Sequence, residues 1–160
     1  MASGPAHPQG RFGDLMRRAG RNQDASRAAV SILRADSKVG QVLERALACA
    51  GLSLPQFNVL MELASSAGAA LPLHELTARL ISTPPNISWL STRMEGAGLV
   101  TKARDRNDSR VVILELTESG WVTLARAAPL VFEAEKKLLG AYSCDELRDL
   151  ADLLDPLTSK

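Results

Sequence analysis

The chain has 160 residues, 19 Lys and Arg against 18 Asp and Glu, and a formal net charge of +1. That length suits one compact domain with a real core, and so even a balance makes the distribution of charge the informative quantity. No apolar run is long enough to span a membrane, and the N-terminus lacks the apolar core of a signal peptide. Two cysteines, Cys49 and Cys144, and two histidines, His7 and His74, offer no metal-ligand spacing, so no disulfide scaffold, metal or cofactor is expected. A cytoplasmic protein is the simple expectation.

Residues 1–23 hold Gly, Pro and the cations Arg11, Arg17, Arg18 and Arg21. They read as a basic flexible arm. Segment 24–52 is expected as one helix, in which Ala28, Ile32, Leu33, Val39, Val42, Leu43, Ala46, Leu47 and Ala50 keep a helical rhythm until Gly51 closes it. It is longer than one small core needs, so its first half is expected to pack on a partner subunit. Cys49, among Leu47, Ala48 and Ala50, reads as a buried and unreactive thiol.

Segment 53–117 opens on a capping box, with Ser53 as cap and Gln56 reaching back. Phe57, Leu60, Met61 and Ala64 give that helix an apolar stripe, and Ser65 to Ala70 reads as a flexible loop. Pro72 starts a short helix with Leu73, Leu76 and Leu80 inward and His74, Glu75 and Arg79 outward. The next helix is expected to begin with Thr83 as N-cap and Pro84 at its first position. Ile87, Leu90 and Met94 form its buried stripe, and Gly98 is expected as a left-handed cap. Its opposite face carries Asn86, Trp89 and Arg93, flanked by Pro85, Ser88 and Thr92. An aromatic ring among hydroxyls, an amide and a guanidinium suits phosphate oxygens and base edges better than a core.

Leu99 to Arg104 and Val111 to Leu116 are β-prone, with Val112, Leu114 and Leu116 alternating on one face. They read as a two-stranded ribbon. Between them, Asp105 to Arg110 forms a tip of turn formers and cations. Lys102, Arg104, Arg106 and Arg110 crowd this wing, with Asn107 at its end, whereas Glu133 to Asp155 is rich in acids. A basic hairpin directly after a capped helix is the layout of a winged helix-turn-helix, with the helix in a major groove and the wing in a minor groove. The expected contacts are Thr83, Pro85, Asn86, Ser88, Trp89, Thr92, Arg93, Lys102, Arg104, Arg106, Asn107 and Arg110. Asp108 is expected to hold the guanidinium of Arg110, two residues on, or else merely to shape the turn. The arm at residues 1–23 is then either an inert tail or a further DNA contact.

Segment 118–156 reads as two helices. Thr117 caps the first, Pro129 should kink it, and Gly140 ends it near Leu139. Ser143 and Glu146 form a second capping box, Leu147, Leu150, Leu153 and Leu154 share one face, and Pro156 should stop the helix. That stripe and the long first helix are expected to form a homodimer interface.

Together, the helix, GAGLVTKARDRNDSR and ILELTESG resemble the MarR family of bacterial transcription regulators, over about Asp24 to Leu154. The wing of that family carries two Asp three residues apart and a basic pair; here Asp105, Asp108 and Arg110 match, and Ser109 stands where a basic residue is common. The resemblance implies a homodimeric repressor on pseudo-palindromic double-stranded DNA, mainly α with a small antiparallel β-wing and dimerisation helices at both ends. It also implies release by a small, often aromatic molecule bound between the dimer helices and the winged region. The candidates there are Val39, Leu43, Phe57 and Met61. Two alternatives are a regulator that senses oxidants through a cysteine and a winged-helix module that binds protein without DNA. No nucleophile–base pair, phosphate-cradling Gly loop or carboxylate pair points to an enzyme.

Overall fold

The computed structural model describes residues 20, 22–80, 86–105 and 108–158. These fall into two units, one ending at Lys38 and the other starting at Val39. The division cuts through the segment 24–52 that the sequence reads as one element. Helix α1 (Gln23–Ala48) contributes its first part to one unit and the rest to the other.

In the first unit Asn22 caps α1, its Oδ1 accepting the N–H groups of Asp24 and Ala25 at 3.0 Å each. From there to Lys38 no residue is buried, and Val30, Ile32 and Leu33 are all exposed.

The second unit holds the core. α1 ends in a turn with Gly51 at φ +73°, and Leu52 donates back to the Leu47 carbonyl. The expected capping box starts α2 (Leu54–Ala64): Ser53 and Gln56 bond each other's backbone, at 3.4 Å and 2.9 Å. A turn of 3₁₀ helix (Ala67–Ala69) leads to strand β1 (Ala70–Pro72) and helix α3 (Leu73–Arg79). Helix α4 (Ile87–Gly96), strands β2 (Val100–Arg104) and β3 (Val112–Leu116), helix α5 (Glu118–Leu139) and helix α6 (Cys144–Thr158) follow. Leu47, Leu60, Leu63, Leu76, Met94, Leu114 and Val100 pack fully buried at its centre. Replacing any of the leucines by Ala would cost about 2–5 kcal/mol. None of the described helices is long and apolar enough to cross a membrane.

The sheet corrects one expectation. It has three strands in the order β1-β3-β2, all antiparallel, rather than two. Leu71 pairs with Leu114, and Val100 with Leu116. Three residues reading Ala-Leu-Pro carry too little alternation to announce a strand, and β3 supplies the pairing that makes them one.

The helix ends correct three more. α4 starts at Ile87, not at Pro84, because Asn86 is its cap; Thr83 and Pro84 lie outside the described residues. α6 runs through Pro156 to Thr158, since a proline in the last turn removes only one bond from an end that already lacks them. Cys49 is exposed, because Leu47 and Ala50 take the core side of the last turn of α1. Cys144, the first residue of α6, is exposed too.

Thr117 caps α5 as expected, its Oγ1 accepting the Gly120 N–H at 3.0 Å, and α5 continues through Pro129. Glu146 caps α6 reciprocally with Ser143, accepting its N–H at 2.8 Å and its hydroxyl at 2.9 Å. These bonds, the backbone one first, hold the Glu146 carboxyl below the usual carboxylate range. α6 buries none of its residues in this chain.

Candidate nucleic-acid interface

The inner face of α4 is fixed by Leu90, Ser91 and Met94, all buried, with Ile87 packed partly against the core. The buried Ser91 hydroxyl is satisfied by the Ser88 carbonyl at 2.9 Å. What remains outside is a row of prearranged polar and aromatic groups. Asn86 Oδ1 accepts the Trp89 N–H at 2.9 Å, so the oxygen is held by the helix start and the amide nitrogen supplies the donors for a partner. Trp89 is 56% exposed. The Arg93 guanidinium, one turn on, lies 4.8 Å from the Trp89 ring centroid. That is cation–π range, contributing about 0.5–1 kcal/mol at an exposed site. The ring thus holds a cation in place.

Thr92 Oγ1 donates to the Ser88 carbonyl at 2.9 Å and accepts from Lys102 Nζ at 2.7 Å. Lys102 comes from β2 and also lies 3.8 Å from the Glu95 carboxylate. The strand therefore delivers a cation onto the face of α4. Ser53, Pro55 and Gln56 at the start of α2 line a groove of about 440 Å³ with Asn86, Trp89, Leu90 and Arg93.

The wing is built differently. Asp105 Oδ1 accepts the Asp108 N–H at 3.0 Å, and Asp108 Oδ1 accepts the Arg110 N–H at 2.9 Å. The backbone closes with Asp105 donating to the Val111 carbonyl at 3.0 Å and Val111 to the Asp108 carbonyl at 2.9 Å. Arg104 Nη1 donates to the Ser109 carbonyl at 3.1 Å. Asp108 therefore orients Arg110 through its backbone, not through its guanidinium, and no ion pair to Arg110 is found among the described residues. Both acids act as turn formers, whose side chains bond backbone N–H groups two or three residues on. Arg104 braces the turn from inside the hairpin.

Sequence and structure agree in bringing Asn86, Ser88, Trp89, Thr92 and Arg93 to one face, with Lys102 beside them. Thr83, Pro85, Arg106 and Asn107 lie outside the described residues. The ligand candidates belong to or flank the core of the second unit. Leu43 and Phe57 are buried in the core, with Val39 and Met61 packed partly against it. They line neither of the two grooves described. The second of these, about 470 Å³, is lined by Leu73, His74, Thr77, Ile87, Arg110, Val111 and Val112. Sequence reading missed one participant, Glu95, which nothing local announced; Asp105 was read as part of the wing motif, though not as the acceptor for the Asp108 N–H.

A capped helix with a polar outer face, preceded by the short helix α3 and followed by a braced hairpin on a three-stranded sheet, defines a winged helix-turn-helix. The MarR family model matches residues 52–112. Transcriptional regulator HosA of Escherichia coli is 30% identical over 95 residues, which are 59% of this chain and 69% of that protein. The homoprotocatechuate degradative operon repressor of Escherichia coli is 28% identical over 104 residues, covering 65% and 69%. A MarR family transcriptional regulator from Streptomyces coelicolor, solved in complex with DNA, superposes with a TM-score of 0.79 at 22% identity, covering 86% of this chain and 87% of that one. The chain belongs to the MarR family of transcription regulators.

Proposed function

We propose that this protein is a homodimeric repressor that lays α4 in a major groove and the β2–β3 hairpin in the flanking minor groove of duplex DNA. The observation that carries the reading is the Trp89–Arg93 pair, an exposed ring with a guanidinium stacked 4.8 Å from its centroid. The cation faces phosphate, and the ring edge suits sugar or a thymine methyl. Ser88 and Thr92 flank the pair, Lys102 and Arg110 add charge, and Arg104 shapes the hairpin. That a structural neighbour was solved in complex with DNA supports a DNA-binding reading.

The support for dimerisation is α6. A helix of 15 residues is marginal alone in water, yet this one leaves Leu150, Leu153 and Leu157 exposed, at 47%, 75% and 70%. The proposed cover is a second copy, which also takes Val30, Ile32 and Leu33 of α1. Leu153→Asp should yield a monomer in sedimentation. A small aromatic effector completes the reading. Its support is the family resemblance and the relative named for an operon that degrades an aromatic acid. It acts by favouring a dimer geometry whose two α4 helices do not fit DNA.

The test is selection of duplexes from a random pool by the full chain, followed by a salt titration. Steep loss of affinity with salt is the expected result. Binding that ignores salt, or no selected duplex, would instead favour the protein-interaction reading.

A second reading rests on the exposure of Cys49 and Cys144. Oxidant release from DNA that is lost in Cys49→Ser or Cys144→Ser would establish it.

A further inference from the structure

The exit of α4 is tied to the start of α5. Gly98, at φ +71°, and Leu99 close α4 by donating to the carbonyls of Glu95 and Met94 at 2.9 Å and 3.0 Å. This is a Schellman turn, and the left-handed position calls for glycine. The same two residues then meet Thr117. Its Oγ1 donates to the Gly98 carbonyl at 2.6 Å, and its N–H donates to the Leu99 carbonyl at 3.2 Å. The same hydroxyl caps α5 by accepting from Gly120. Gly120 is buried, and a Cβ there would overlap the Leu99 carbonyl oxygen and come within 2.8 Å of a Leu116 methyl. Only glycine lets α5 sit this close to the turn.

We infer that Thr117 and Gly120 are positioning residues for DNA binding: they latch the C-terminal end of the recognition helix to α5. This rests on the DNA-binding reading and adds which residues set the helix in place. Trp89 lies nine residues before Gly98, about 13 Å along a helix axis. A tilt of about 5° at the latch therefore moves the ring by about 1 Å. In a dimer the separation of the two α4 helices is what half-site spacing reads. The latch thus makes spacing preference follow α5.

The cap and the latch can be separated chemically. Thr117→Ser keeps a hydroxyl for both. Thr117→Asp keeps an N-cap acceptor but cannot donate to the Gly98 carbonyl. Full-length variants are compared on a selected duplex whose two half-sites are separated by a series of spacers, and by amide hydrogen exchange without DNA. Thr117→Asp should remain folded, bind the best spacing about tenfold more weakly and accept a broader range of spacings. Exchange over residues 93–99 should quicken while that over 57–63 stays slow. Thr117→Ser should match the wild type on every readout. Gly120→Ala, where it folds, should shift spacing in the same way as Thr117→Asp. A folded Thr117→Asp with wild-type affinity, spacing and exchange would overturn the latch. A wild-type chain that binds no duplex would overturn the interface reading instead, and the exchange comparison alone would then decide whether Thr117 holds α4.

Discussion

The outer face of α4 and the tip of the wing carry the same kinds of residue and use them in opposite ways. On α4, side chains hold side chains: Trp89 seats Arg93, and Thr92 with Glu95 seats Lys102. At the wing, side chains hold backbone: Asp105 and Asp108 bind N–H groups and Arg104 binds a carbonyl. Preorganised side chains suit a surface that must match base and phosphate positions closely. A preorganised backbone suits a probe whose Arg finds a narrow groove by its potential rather than by register.

The largest expected effect is on the helix. Arg93→Ala should weaken duplex binding by roughly ten- to a hundredfold, as expected for a lost hydrogen bond to a charged group. Trp89→Ala should reproduce part of that loss although it removes no charge, because the guanidinium loses its seat. Equal affinity for Trp89→Ala and wild type, read by anisotropy, would remove the pairing from the account. Asn86→Ala comes next, with a stability loss of about 0.5–2 kcal/mol for a missing N-cap, measured by denaturant unfolding.

The wing responds less and with a telling sign. Asp108→Asn keeps an acceptor for the Arg110 N–H and deletes a negative charge, so DNA binding should tighten modestly. Had Asp108 held the guanidinium, the same change would weaken binding. Asp108→Ala loses the turn and should weaken it. Arg110→Ala should lower the salt slope by about one unit if it neutralises one phosphate's worth of charge.

The smallest effect lies far from both regions. Glu146 has a folded pKa below its unfolded value, so its cap stabilises α6 above the unfolded pKa and is lost as pH falls through the folded one. Acid titration of helix content should show that loss, and Glu146→Gln should remove the dependence.

These predictions also mark what was legible beforehand. Both capping boxes, the Thr117 cap, the left-handed Gly98 and the β2–β3 pairing follow from local chemistry and were readable. Trp89 and Arg93 stand four residues apart, so their shared face was readable as well. The start of α4 was not, because Thr83-Pro84 and Asn86 are both good openings and local sequence does not choose between them. For Asp108 the sequence left two roles open for a related reason: two residues before Arg110, a carboxylate can reach either its guanidinium or its N–H, and the structure shows the second. β1 exists only because β3 is there to pair with it. The close approach of Gly120 to Leu99 is a tertiary fact that no window of sequence contains.

Base-methylation interference on a selected duplex tests the central claim most directly, since it reports guanine N7 in the major groove and adenine N3 in the minor groove. Interference is expected at guanine N7 within two half-sites one helical turn apart, and at adenine N3 beside each, with the adenine signal lost in Arg110→Ala. Tight binding without interference in either groove would contradict it.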